Sequence, residues 1–346
     1  MTIMKRIATL LLPLLLPALI CAGGIVPEPA SMTPGKGSLK ISGAIFKCDP
    51  SIDSVSMDAI CRFAARLSLV SGRTSSVSTP VGLKSVVDDG AAKGVIFLKD
   101  NSLKGESYRI SIGQKSAVVR AGATPGFLNS IQTLKQMLPE EIYGDALADK
   151  QKWALPRCEI SDSPATAVRG LSIDSCETFW SVEQILSCLD EMARYKFNLL
   201  LWNLAGERGW RMEVRAYPLL GQVAGYRMES EGRYGGYYST DEILRVVRHA
   251  SSLGISIIPR LHIGLEATSI LKPADCPAER FVSDILAETA QLFPYIYEDV
   301  SCDGELPLED MLRARGKEPA PAGEFPEVNP ASTDTRQLRM LAGKLW

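Results

Sequence analysis

The stretch Ser181–Leu204, SVEQILSCLDEMARYKFNLLLWNL, decides how the second half of the chain folds. Its first part is an amphipathic helix to Tyr195, opened by Ser181 and Gln184 at the spacing of a capping box. Its second part, Phe197–Leu204, is an unbroken apolar strand, as expected where both faces of a sheet are covered. The same alternation runs outward. Gly170–Ile173 is a short strand ahead of the helix. Ser239–Leu253 is a second helix, with Ser239 and Glu242 as its capping box and Gly254 as its stop. Ile255–Ile263 is a strand, Ala278–Leu292 a helix behind Pro277, and Tyr295–Cys302 a further strand. Apolar strands alternating with amphipathic helices predict parallel βα units. An eight-stranded βα barrel and an open doubly wound sheet both satisfy that pattern. No G-x-G-x-x-G follows any of these strands, which speaks against a dinucleotide site.

Upstream, Ile25 to about Pro156 forms a different unit. Leu39–Phe46, Gly94–Leu98, Tyr108–Ile112 and Ala117–Arg120 alternate like strands. Ser54–Leu69 and Thr124–Leu138 have helical spacing, the latter stopped by Pro139. The order predicts a small α+β domain with helices on one face of a mostly antiparallel sheet.

In parallel βα architectures, polar residues at the C-terminal ends of the strands carry the chemistry. Those ends hold Asp174, Asn203, Arg260 with His262, and Asp303. The ordinary reading is strand-end capping by residues that favour loops; four in succession favour a site.

The N-terminus has the grammar of a cleaved secretory signal: Lys5 and Arg6, an apolar run from Ile7 to Ile20 broken by Pro13 and Pro17, then Ala22-Gly23-Gly24. Residues 1–22 are expected to be removed, placing the protein outside the cytoplasm: secreted, periplasmic or at the cell surface. Acylation of Cys21 as a lipoprotein is the competing reading, opposed by bulky Ile20. No later stretch is long enough to span a membrane. A net charge of -2 gives no basic footprint for nucleic acid. Of eight cysteines, those after Cys21 are scattered without C-x-x-C or nearby histidines, so no metal site is expected.

The chain resembles the family 20 glycoside hydrolases, exo-acting β-N-acetylhexosaminidases. The resemblance rests on Ile25-Val26-Pro27-Glu28-Pro29, Tyr108-Arg109-Ile110, and Gly126-Phe127-Leu128 with Gln132-Thr133-Leu134. It continues through Arg169-Gly170-Leu171 with Asp174, Met192–Asn198 followed by Trp202, Gly209-Trp210-Arg211 with Tyr217-Pro218, Tyr237-Tyr238 and Ile257-Ile258-Pro259. It implies an α+β domain (23–158) followed by a TIM (βα)8 barrel, of which residues 159–346 have room for about four units, the first half. It also implies cleavage of terminal β-linked N-acetylglucosamine or N-acetylgalactosamine from glycans, without cofactor or metal. In that scheme the sugar's own acetamide oxygen attacks the anomeric carbon. Asp303 matches the residue that polarises the acetamide, and Arg169 is aligned with an arginine that grips sugar hydroxyls. A degenerate pocket that binds glycan without cleaving it would use Arg169, Trp202 and Trp210.

The departures lie in the pocket. Gly304 stands where the family has its acid, and Glu305, the remaining candidate, comes one place late. Leu201–Gly206 and Gly264-Leu265-Glu266 also differ from the family's motifs. Weak or absent hydrolysis is therefore expected. A half barrel is further expected to expose strand edges, calling for self-association or a partner chain.

Overall fold

The computed structural model describes residues 24–265, 268–321, 323, 325–328 and 338–342. The signal-like residues 1–22 and Glu266 lie outside the described residues. The first domain is a seven-stranded sheet built from β1 (Ser31–Lys40), β2 (Ile45–Cys48), β3 (Ser76–Ser78), β4 (Gly94–Lys99), β5 (Tyr108–Ile112), β6 (Ser116–Ala121) and β7 (Ala154–Asp162), in the order β1-β7-β5-β6-β4-β2-β3. The expected strand Leu39–Phe46 divides into the end of β1 and the start of β2, at a turn where Gly43 takes a φ of 71°. The sheet is mixed rather than mostly antiparallel. β1, β7, β5 and β6 pair antiparallel, whereas β6, β4, β2 and β3 pair parallel. β7 went unread in the sequence, and it runs past Cys158 to Asp162, so a boundary at 158/159 falls inside a strand.

Two long helices, α1 (Ser54–Ser71) and α3 (Thr124–Gln136), pack on one face of this sheet; the short α2 (Leu83–Asp88) covers part of the other. Phe46, Phe63, Phe97 and Phe127 are the centre of the main core, with Phe46 edge-on to Phe63 at 5.5 Å. Each such ring contributes roughly 1.5–3 kcal/mol by burial.

The second domain follows the expected βα rhythm. β8 (Gly170–Asp174), α4 (Val182–Arg194), β9 (Leu199–Gly206), α6 (Thr240–Ser252), β13 (Ser256–Ile263), α7 (Ala278–Leu292), β14 (Tyr297–Cys302) and α8 (Leu308–Arg313) alternate, and β8, β9, β13 and β14 are parallel neighbours. Both predicted capping boxes form: Gln184 N–H and Glu242 N–H donate to Ser181 Oγ and Ser239 Oγ. Between β9 and α6 the chain inserts β10 (Gly209–Trp210), the one-turn α5 (Leu219–Gln222) and a hairpin, β11 (Tyr226–Glu229) with β12 (Gly232–Gly235).

The edges of this partial barrel are each partly paired. β15 (Glu318–Pro319) pairs with β14, and a few residues later Ser172 on β8 exchanges hydrogen bonds with Pro326 and Val328. The described residues between Glu318 and Val328 thus tie the last strand to the first. Phe325 lies against Gly170, where a Cβ would come within 2.5 Å of the ring. Leu199, Leu201 and Ile258, with Tyr295, Tyr297, Ala320 and Phe325 packed on them, form an apolar floor. The predicted exposure of both edges is corrected in part: this stretch pairs with Tyr297 and Glu298 of β14 and with Ser172 of β8. No helix among the described residues is long and apolar enough to cross a membrane.

Candidate functional site

Strand alternation sorts the barrel residues. Leu171, Ile173, Leu200, Trp202, Leu204, Leu261 and Ile263 join the core beneath the helices. Their neighbours therefore point to the opposite, inner face. Strand register then aligns four inner residues: Asp174 pairs with Asn203, Asn203 with Arg260, and Arg260 with Asp299. This row crosses all four strands, at the last residue of β8 and in the middle of β9, β13 and β14, and leads up to the C-terminal ends at which barrel chemistry sits.

Each member is held differently. Asp174 Oδ1 accepts from the backbone N–H groups of Cys176 (2.8 Å) and Glu177 (3.0 Å), fixing the loop behind β8. Arg260 Nε donates to Asp299 Oδ2 at 2.6 Å. Asn203 Oδ1 is buried with no hydrogen-bond partner. One step further up, His262 Nδ1 meets Ser301 Oγ at 3.0 Å. Beyond the strand end, Asp303 Oδ1 accepts from Leu265 N–H at 2.6 Å. Glu305 is exposed on the loop that follows. Asp299 and Ser301 were not picked out as site residues in the sequence, although stepping back by two from Asp303 finds both.

Three predicted binders lie elsewhere. Arg169 precedes β8, at the opposite end of the strand from Asp174, and is 2% exposed. Its guanidinium donates to the carbonyls of Lys196 (2.8 Å) and Thr166 (2.7 Å) and to Glu106 of the first domain. It is a domain-joining residue and cannot grip a ligand at the strand ends. Trp202 faces the helices, 5.0 Å from the Tyr238 ring, with Nε1–H donating to Ser175 Oγ. Trp210 is buried and donates to the Met212 carbonyl. Neither indole borders the inner row, because even-numbered β9 residues near Trp202 point outward and Trp210 turns back into the core.

The rim is built by the inserted hairpin. Arg227 donates to the carbonyls of Cys176 and Glu177, both at 2.8 Å, and Tyr234 OH accepts from Phe179 N–H. Beneath it Arg211 is fully buried and donates to the carbonyls of Ser175, Cys176, Gly225 and Gly236. The Gly-Trp-Arg signature therefore fixes the loops around the site rather than entering it.

A cleft of about 840 Å³ lies on the other side of the barrel, between the domains. Its polar groups largely join its walls: Arg62 donates to the Ser252 carbonyl, Arg169 pairs with Glu106, and His249 meets Asp190. Burial pulls the Lys135 ammonium down to about 8, and it sits 4.6 Å above the Tyr143 ring. No group of three or more metal-ligating side chains occurs among the described residues.

Comparison with known proteins agrees with this layout. Residues 23–163 match the family model described as glycosyl hydrolase family 20, domain 2, and residues 167–264 match the family 20 catalytic domain. A β-hexosaminidase of Porphyromonas gingivalis is 26% identical over 309 residues, 81% of this chain and 38% of that relative. One from Akkermansia muciniphila is 31% identical over 176 residues, 49% of this chain and 34% of that relative. The chain spans less than half the length of these curated relatives. Among solved structures, a Streptomyces plicatus N-acetyl-β-hexosaminidase in complex with Thio-NAglucal superposes with a TM-score of 0.71 at 23% identity, covering 85% of this chain and 64% of that one. The β-N-acetylhexosaminidase of Bacteroides fragilis gives 0.67 at 21% identity, covering 93% and 72%. The chain belongs to the family 20 glycosyl hydrolases, of which it carries domain 2 and part of the catalytic domain.

Proposed function

We propose that the inner strand ends hold a terminal β-linked N-acetylhexosamine of a glycan and that this chain cleaves it slowly. The observation that carries the reading is the aligned row Asp174, Asn203, Arg260 and Asp299, with Asp303 above it. A pyranose offers hydroxyls that both donate and accept, and Asn203 Oδ1 lacks a donor. Solved relatives from Streptomyces plicatus and Vibrio harveyi are in complex with N-acetylglucosamine.

In the proposed reaction the acetamide oxygen bonds to the anomeric carbon as the glycosidic carbon–oxygen bond breaks. Asp303 polarises the acetamide, and the leaving oxygen takes its proton from Glu305. Water then opens the cyclic intermediate and restores the proton. Asp303 is oriented by Leu265 N–H, whereas Glu305 is exposed beyond the strand end. A poorly placed general acid lowers the rate by about 10²–10⁴-fold. The signal-like residues 1–22 support the further proposal that the protein acts outside the cytoplasm, where N-terminal sequencing of exported protein is expected to start at Gly23.

The test is release of nitrophenol from nitrophenyl N-acetyl-β-glucosaminide and its galactosaminide counterpart. Slow turnover lost in Asp303→Asn is expected. Fast turnover, or slow turnover indifferent to Asp303→Asn, contradicts the assignment. Saturable sugar binding without any turnover favours a glycan-binding role, which the unpartnered Asn203 oxygen also suits.

A further inference from the structure

The stretch that closes the partial barrel adjoins a buried glutamate. Glu298 on β14 is fully excluded from solvent, and neither carboxylate oxygen has a hydrogen-bond partner. Lys317 Nζ lies 3.8 Å away, but it donates to the carbonyls of Phe293 and Tyr295 instead. Glu298 is also part of the closure through its backbone. It pairs in register with Pro319, and its carbonyl accepts from Ala320 N–H at 2.9 Å. Lys317 immediately precedes that pairing.

We propose that neutral Glu298 keeps Lys317–Ala320 on β14 and, through them, residues 325–328 on β8, and that ionisation of Glu298 releases both. A protonated carboxyl tolerates a site without donors far better than a carboxylate does. An ionised Glu298 draws on Lys317, the ammonium beside it. Capturing that ammonium takes it from the Phe293 and Tyr295 carbonyls and moves the residue immediately before β15. Burial pushes the Glu298 carboxyl up to about 7, with Lys317 and Arg315 opposing only in part, so the change falls in the neutral range.

The surrounding charges have other partners. Arg315 donates to Ser283 on α7 and to the Met311 carbonyl. On α7, Asp284 accepts from Tyr217 OH, and Glu288 from the Arg215 and Ala216 N–H groups. On α8, Arg313 pairs with Glu309, Asp310 and Glu318. Asp299, next along β14, is engaged by Arg260 on the inner face.

Release uncovers the free edge of β8 at Ser172 and the apolar floor of Leu199, Leu201 and Ile258. Amide hydrogen exchange on the full chain, corrected for the intrinsic pH dependence of exchange, tests this. Between about pH 5.5 and about pH 8, protection at Ala320 and Val328 is expected to fall on the order of tenfold or more in the wild type. In Glu298→Gln, which keeps a neutral side chain of the same shape, protection is expected to be equal at both pH values. Equal protection in the wild type overturns the proposal, and this comparison stands if Glu298→Gln does not fold. A pH-dependent loss that persists in Glu298→Gln overturns it too.

Discussion

Lys196 Nζ lies 2.8 Å from Asp162 Oδ2, and both side chains are fully buried where the two domains meet. The lysine follows α4 of the partial barrel, and the aspartate ends β7 of the first domain. Tyr108 OH completes the group, donating to Asp162, receiving from Lys196 and touching Thr133 Oγ1. Lys196 holds a φ of 61°, which is unfavourable for a side chain other than glycine, so its place in the turn is fixed by what its ammonium reaches.

Removing one partner of a buried pair leaves an uncompensated charge, at a cost of about 3–5 kcal/mol. Lys196→Met is expected to lower urea stability by about that much, and adding Asp162→Leu to recover most of it. A double variant as unstable as the single one contradicts the ion-pair account. Burial pushes the Asp162 carboxyl up, but the charge and hydrogen bonds of Lys196 prevail and hold it below the usual carboxylate value. The stability from this shift is present above the unfolded value of about 4 and is lost as pH falls through the lower folded value. Acid unfolding is therefore expected to lose its steepest part in Asp162→Asn.

Arg169 gives a contrasting prediction. Because it joins β8 to Glu106 of the first domain, Arg169→Ala is expected to cost about 3 kcal/mol or more in stability. Affinity for N-acetylglucosamine in protein that remains folded is expected to be unchanged. Thermal melting and calorimetric titration on the same sample separate these effects.

Phe325 and Gly170 bear on the closure of the barrel. A methyl at Gly170 meets the Phe325 ring, so Gly170→Ala is expected to displace the stretch 325–328. Faster proteolysis within 318–328 and a loss of about 1–3 kcal/mol from overpacking are the expected signs. Unchanged proteolysis contradicts the ring's position.

Much of the second domain was legible because its signals are local. The capping boxes at Ser181 and Ser239 and the apolar run Leu199–Trp202 each announce an element within a few residues. The inner polar ends were also visible, as Asp174, Asn203, Arg260 and His262 follow from the strand-end rule. Side-chain direction was harder. Trp202 and Arg169 look like binding residues by type, yet one faces the helices and the other sits at the wrong end of its strand. Strand phase decides Trp202, and a shift of one residue inverts it, whereas position along the strand decides Arg169. The parallel pairing of β6, β4, β2 and β3 and the closure by 318–328 depend on contacts far apart in sequence. Residues 318–328 are rich in Pro, Ala and Glu and show no period that marks a strand.

The placement of the site at the inner strand ends is tested most directly by calorimetric titration of N-acetylglucosamine into the wild type, Asn203→Ala, Asp303→Asn and Arg169→Ala. Saturable binding is expected in the wild type and in folded Arg169→Ala. It is expected to weaken about tenfold or more, roughly 1.4 kcal/mol, in Asn203→Ala and Asp303→Asn. Binding lost on changing Arg169 but kept on changing Asn203 and Asp303, or no binding by the folded wild type, contradicts it.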